Sequence, residues 1–223
     1  MILSPEEQIQ EYTARGWWGE RTLIDLFLDT AEKRADALAV VDPPNRADLT
    51  PGEPLRLTYA AVKIATDRLA NALLKAGVGN DDIVMVQLPN IVELVITYLA
   101  CARIGAMLSP LPVQFRTHEL RHVIGLIEPK VFITTRSFGG HDYVQMVQGL
   151  RPEFPCVRHI IALGDDLPAG VESLAGILNA EADTSPVDTY AAENPSSAND
   201  VFTICWTSGT VAEPKGVPRS HIL

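Results

Sequence analysis

Ten consecutive residues, Thr207-Ser208-Gly209-Thr210-Val211-Ala212-Glu213-Pro214-Lys215-Gly216, bring together three hydroxyls, two glycines and a lysine. That combination suits an anion. Backbone N–H groups in a concave turn and the hydroxyls can donate, the lysine can neutralise charge, and glycine permits torsions and close approach that a side chain would block. A phosphate group is the ligand this chemistry points to, although an ordinary hairpin turn has the same composition and stays open as a reading. A Walker A loop is ruled out. It needs glycine directly before the lysine and Ser or Thr directly after, whereas Pro214 and Gly216 flank Lys215.

A second pattern with chemical content is His118-Glu119-Leu120-Arg121-His122, which spells HExxH. Histidines four apart on a helix can share a zinc ion, with the glutamate as base. Here Thr117 is placed to cap the helix, so the motif falls in its first, exposed turn. Arg121 puts positive charge beside any metal, and no third ligand is spaced downstream. A solvated helix start is the expectation, and no metal site is assigned. His141 and His159 stand alone at element starts and read as structural or surface residues. Ser220-His221 lacks a nearby acid and a nucleophile-elbow context. Asp165-Asp166 reads as a surface turn.

The elements that would position the loop follow from periodicity. Val201 to Trp206 reads as a buried strand feeding directly into Thr207. Upstream, Ser4-Pro5-Glu6-Glu7 is a helix start with a hydroxyl cap and a capping box, and that helix ends near Arg15-Gly16. Trp17-Trp18 reads as an aromatic anchor for the amino-terminal arm. Thr22 to Arg34 fits a second helix, with Leu23, Leu26, Phe27 and Ala31 on one face. Short strands at Leu38 to Val41 and Leu55 to Thr58 flank a loop punctuated by Asp42-Pro43-Pro44 and Thr50-Pro51-Gly52, which predicts a hairpin. Thr58 caps a helix from Tyr59 to Ala76, closed by Gly77.

From there strand and helix alternate: strand Ile83 to Leu88, a helix opened by Asn90 with Glu93 and running through Ile104, then strand Ala106 to Leu111. Helix Thr117 to Glu128, strand Lys130 to Thr134, helix His141 to Leu150 and strand His159 to Leu163 follow. This rhythm predicts an α/β fold with a mainly parallel sheet flanked by helices. Ligands in such folds lie outside the carboxyl ends of the strands. A weak helix spans Val171 to Ala182. Residues 1–182 are expected to form an amino-terminal α/β subdomain and the polar stretch 183–200 a linker. Residues 201–223 are expected to be the first strands and phosphate loop of a second subdomain, with its own sheet.

Composition narrows the classes further. A chain of 223 residues with 47% hydrophobic and 21% charged residues is that of an ordered globular protein. A net charge of -10 and the absence of any basic run argue against a nucleic-acid partner. Cys101, Cys156 and Cys205 have no close spacing, so free thiols in a reducing compartment are expected rather than disulfides or a zinc knuckle. Met1 to Glu7 lacks the basic and apolar regions of a signal peptide, which makes the cytoplasm the expected location. The apolar stretch Ile91 to Leu111 is broken by Glu93, Arg103, Gly105 and Pro110, and reads as buried helix then strand rather than a membrane span.

The order of residues goes beyond composition. Ile204-Cys205-Trp206-Thr207-Ser208-Gly209-Thr210, followed by Pro214-Lys215-Gly216-Val217 and Ser220-His221, resembles the signature loop of the adenylate-forming (AMP-binding) enzymes. These include acyl-CoA synthetases, aryl-acid ligases, luciferases and peptide-synthetase adenylation domains. Leu57-Thr58-Tyr59, Leu88-Pro89-Asn90 with Glu93, and Gly105-Ala106 with Pro110 and Pro112 match that family in order. Gly16-Trp17-Trp18 and Arg21-Thr22-Leu23 resemble its aryl- and alicyclic-acid members.

The resemblance implies ATP-dependent ligation of a small-molecule carboxylic acid. The acid attacks the α-phosphate of ATP, pyrophosphate leaves, and a thiol, usually that of CoA, takes the acyl group. It implies that Thr207 to Gly216 form the ATP phosphate loop. Thr207, Ser208, Gly209 and Thr210 would supply donors and close approach, and Lys215 positive charge. Catalytic residues and the ligands of Mg2+ are expected downstream of Leu223, because relatives are much longer. The isolated chain is therefore expected to be an inactive amino-terminal portion, with partial disorder or self-association at its truncated end.

Two positions depart from the family pattern, Val211 where a hydroxyl is usual and Ala212 where glycine is usual. They keep open a second reading, a non-catalytic remnant or binding module on the same scaffold.

Overall fold

The computed structural model of the chain describes residues 1–207 and 213–222. Strands β1 (Leu38–Val41) and β2 (Arg56–Thr58) form the expected antiparallel hairpin. Helices α1 (Glu6–Ala14) and α2 (Leu23–Lys33) precede it, and α3 (Tyr59–Lys75) follows. Then come β3 (Ile83–Gln87), α4 (Val92–Arg103), β4 (Met107–Pro110), α5 (Thr117–Ile127) and β5 (Val131–Thr135). A small hairpin of β6 (Ser137–Phe138) and β7 (His141–Asp142) leads into α6 (Tyr143–Leu150) and β8 (His159–Leu163). The chain continues through β9 (Val171–Ser173), α7 (Leu174–Asn179), α8 (Ser185–Glu193), β10 (Val201–Trp206) and β11 (Gly216–Ser220).

One seven-stranded sheet in the order β11-β10-β4-β3-β5-β8-β9 forms the centre, parallel except where β11 runs against β10. This is the α/β architecture that the strand and helix rhythm predicts. Alternation along the strands divides the core in two. Val84, Val86, Leu108, Val131, Ile133 and Ile161 pack with α3 and α4 on one face. Met85, Phe132 and Ile160 pack with α5 and α6 on the other.

Several expectations are corrected. Residues 201–220 do not begin a second sheet, because β10 lies alongside β4 with Thr203 opposite Leu108. The stretch 183–200 is not an open linker. It carries α8, which buries Val187 and sends the Tyr190 hydroxyl to accept the Asn80 N–H at 2.7 Å. Val171 to Ser173 is a strand that adds to β8, so the helix after it starts only at Leu174. Pro5 rather than Ser4 is the cap residue of α1, and no side chain caps that helix. Trp17 is 59% exposed; it and Trp18 meet Tyr12 edge-on, so the pair packs on its own helix instead of anchoring the arm in the core.

The start of α4 differs most in mechanism. Asn90 and Glu93 do not cap it. Asp42, from the hairpin loop fifty residues earlier, accepts the Val92 N–H at 2.8 Å and the Leu55 N–H at 2.9 Å. Glu93 instead takes two hydrogen bonds from Arg46, at 2.6 and 2.9 Å, and Arg46 also pairs with Asp42. All three side chains are buried. Burial alone would lower the Arg46 pKa, but hydrogen bonds to Glu93 and Asp42 outweigh it and raise the pKa, so the guanidinium stays charged.

Candidate phosphate-binding loop

The ten-residue stretch follows β10 and ends on Gly216, the first residue of β11. Ser208, Gly209, Thr210, Val211 and Ala212 are outside the described residues, and the site is built from its two shoulders. Because β10 is parallel to β4, Trp206 and Thr207 emerge at the carboxyl ends of the parallel strands, where open α/β sheets bind ligands.

Main-chain and side-chain bonds close the base of the loop. Thr207 N–H donates to the Lys215 carbonyl at 3.1 Å, and Lys215 N–H donates to Thr207 Oγ1 at 3.0 Å. The threonine hydroxyl is thus an acceptor inside the protein, which leaves its own O–H to donate outward. Thr207 and Lys215 are both exposed. Trp206 pairs with Gly216 across the hairpin and donates its indole N–H to Ser109 Oγ on β4 at 2.8 Å. Gly216 is needed for close approach alone. Its φ is not positive, but a Cβ there would meet Trp206 Cη2 and Ile204 Cγ2 at 3.1 Å.

The far shoulder is held by α5, and the route to that helix starts in the sheet. Gln87, at the carboxyl end of β3, donates its amide to the carbonyls of Pro112 and Phe115, each at 3.0 Å. Tyr143 donates to the Val113 carbonyl at 2.6 Å. Arg116 lies over the Tyr143 ring and binds the Val113 and Phe115 carbonyls. The segment before α5 is therefore clamped. Arg116, not Thr117, is the cap residue, and the Glu119 carboxylate accepts its N–H at 2.8 Å. Hydrogen bonds from this backbone outweigh desolvation and hold the Glu119 pKa below its ordinary value.

The HExxH residues are accordingly dispersed. Glu119 is bound to the helix start, His118 is exposed, and Arg121 pairs with Glu153. His122 does something the sequence reading missed. Its Nε2 lies 3.0 Å from the Pro214 carbonyl and its Nδ1 2.9 Å from Glu213 Oε2. Pro214 is buried. A histidine at the sixth position of a helix gives no local sign that it meets a loop some ninety positions later.

His221 is also more than a neighbour of the loop. It is 7% exposed, stacks on Phe202 with centroids 4.7 Å apart, and its Nδ1 accepts the Leu23 N–H of α2 at 3.2 Å. Burial pushes its pKa down, against the opposing pull of Asp200 and Asp25. His159 meets Glu172 at the surface, and His141 packs edge-on against Tyr143. Cys101, Cys156 and Cys205 are free thiols. Among the described residues no group of three or more His, Cys, Asp or Glu side chains is placed to hold a metal ion, and none is assigned as a magnesium ligand. No described helix is long and apolar enough to cross a membrane.

Comparison with known proteins gives the family. The family model described as "AMP-binding enzyme" matches residues 27–222. The chain is 30% identical over 217 residues to a medium-chain fatty-acid–CoA ligase of Escherichia coli, covering 97% of this chain and 36% of the relative. It is likewise 30% identical to the salicyl-AMP ligase / salicyl-S-ArCP synthetase of Mycobacterium tuberculosis, with the same coverage. Among solved structures, apo MbtA of Mycobacterium smegmatis superposes with a TM-score of 0.80 at 25% identity, over 99% of this chain and 37% of that one. The chain spans about a third of the length of the curated relatives it matches.

Proposed function

The chain belongs to the AMP-binding enzyme family, and from that membership we propose that it contributes the ATP phosphate loop of a carboxylic acid–CoA ligase working through an acyl-adenylate. The observation that carries the proposal is the base of the loop. Thr207 and Lys215 lock to each other at the carboxyl ends of the parallel strands, which brings a hydroxyl and a lysine together there.

Moving a phosphate group asks little covalent chemistry of a protein; positioning and charge neutralisation dominate. In this reading the Thr207 hydroxyl donates to a β- or γ-phosphate oxygen, and Lys215 offsets the charge of the departing pyrophosphate. The glycine and hydroxyl residues Ser208, Gly209 and Thr210 add donors. ATP supplies the adenylate and the acid is a small molecule. CoA is the proposed acceptor, although one relative is named a salicyl-S-ArCP synthetase.

The test is exchange of labelled pyrophosphate into ATP, measured on the longest polypeptide encoded with this sequence against a panel of aliphatic and aryl acids. Acid-dependent exchange is expected. Val211 and Ala212, at positions where a hydroxyl and glycine are usual, favour the second reading, a binding module without turnover. Exchange with none of the acids would select it.

A further inference from the structure

His122 has no role in the reaction as read so far, yet its geometry is specific. It rises from α5 on the sheet face covered by α5 and α6, and meets Glu213 and Pro214, just before β11. Both ring nitrogens face acceptors, the Pro214 carbonyl at 3.0 Å and a Glu213 carboxylate oxygen at 2.9 Å. A neutral imidazole donates at only one nitrogen, and the protonated ring satisfies both. The Pro214 carbonyl belongs to a buried residue directly before Lys215, whose N–H and carbonyl close the base of the loop on Thr207.

We infer that His122 is a positioning residue for the phosphate loop, holding its carboxyl-terminal shoulder against α5 so that Lys215 stays at the mouth. The inference rests on the proposed phosphate role for its effect on ligand binding, but not for its effect on loop geometry. On one side the loop is covalently continuous with β10, which the Trp206 to Ser109 hydrogen bond ties to β4. On the other side β11 is the edge of the sheet, with four of its five residues exposed. His221 ties the far end of this side to α2, and at the loop end His122 is the described side chain that meets it from outside the hairpin. The anchor itself is stiff, because Gln87, Tyr143 and Arg116 hold the entry to α5.

The experiment measures backbone amide hydrogen exchange at Thr207 and Lys215, and pyrophosphate affinity, in the 223-residue chain and in His122→Phe and His122→Gln. Phenylalanine keeps bulk and removes both nitrogens; glutamine keeps a donor for the Pro214 carbonyl. Loss of one net hydrogen bond corresponds to about fivefold to tenfold faster exchange at Lys215. The expected result is that acceleration in His122→Phe, a matching loss of pyrophosphate affinity, and recovery to within about twofold in His122→Gln.

Unchanged exchange in His122→Phe would overturn the inference. So would a glutamine variant as fast as the phenylalanine one, since a merely space-filling role predicts no rescue. Should His122→Phe not fold, Glu213→Gln at the exposed partner decides instead, with about twofold faster exchange expected and no change refuting the clasp. A wild-type chain that fails to bind pyrophosphate would remove the proposed function, while the exchange rates would still judge His122.

Discussion

Two junctions in this molecule join segments distant in sequence, and they are built in opposite ways. At the start of α4, Asp42, Arg46 and Glu93 form a buried, hydrogen-bonded cluster that seals a helix end. At the base of the β10–β11 loop the bonds are few, most of the groups are exposed, and a hydroxyl and a lysine face outward. The first junction spends its hydrogen-bonding capacity internally. The second holds some in reserve. That contrast separates a device that maintains the fold from one suited to receiving an anionic ligand.

The sharpest way to break the contrast is to remove the acceptor of the buried junction. Asp42→Ala leaves the Val92 and Leu55 N–H groups and part of Arg46 without a partner in a dry environment. Arg46 keeps its pair with Glu93, so the cost is that of buried N–H groups left unsatisfied, about 1–3 kcal/mol each, read as a lowered midpoint in urea denaturation. A loss of less than about 1 kcal/mol would mean that water reaches the cluster. At the loop, Gly216→Ala presses a methyl on Trp206 and Ile204. The expected cost is on the order of 1 kcal/mol, with pyrophosphate affinity falling because Lys215 shifts. Full affinity with lowered stability would detach the glycine from the site.

The smallest effect is a pH dependence at His221, which couples β11 to α2. Its folded-state pKa lies below its ordinary value of 6.5, so the unfolded chain binds more protons in that range. Its contribution to stability is complete above pH 6.5 and is lost as the pH falls from there through the folded-state value. His221→Gln should flatten that part of the stability profile. An unchanged slope in the variant would assign the acid sensitivity to other groups.

How much of this was legible beforehand follows the range of the interactions. Strand and helix alternation showed in the periodicity of Val84, Val86, Val131 and Ile133, because burial on a sheet face leaves a local mark. Thr58 was legible as a cap, since its hydroxyl meets a backbone N–H three residues on. The capping of α4 was not, because Asp42 reaches it from across the hairpin loop while Asn90 and Glu93 offer a plausible local alternative. The placement of β10 beside β4 depends on pairing between segments about a hundred residues apart. Residues 183–200 looked like a linker on polarity, yet Val187 and Tyr190 suffice to dock a helix there. The loop's order of residue types revealed its family. His122, its cross-link to α5, became visible only in three dimensions.

The central claim is that the β10–β11 loop, and not the buried hairpin junction, receives phosphate. It is tested most directly by following backbone amide shifts of the chain during titration with inorganic pyrophosphate. The account predicts saturable shifts at Thr207, Lys215 and Gly216 and none at Leu55 or Val92. Saturation confined to other residues, or no saturable shift at the loop, would contradict it.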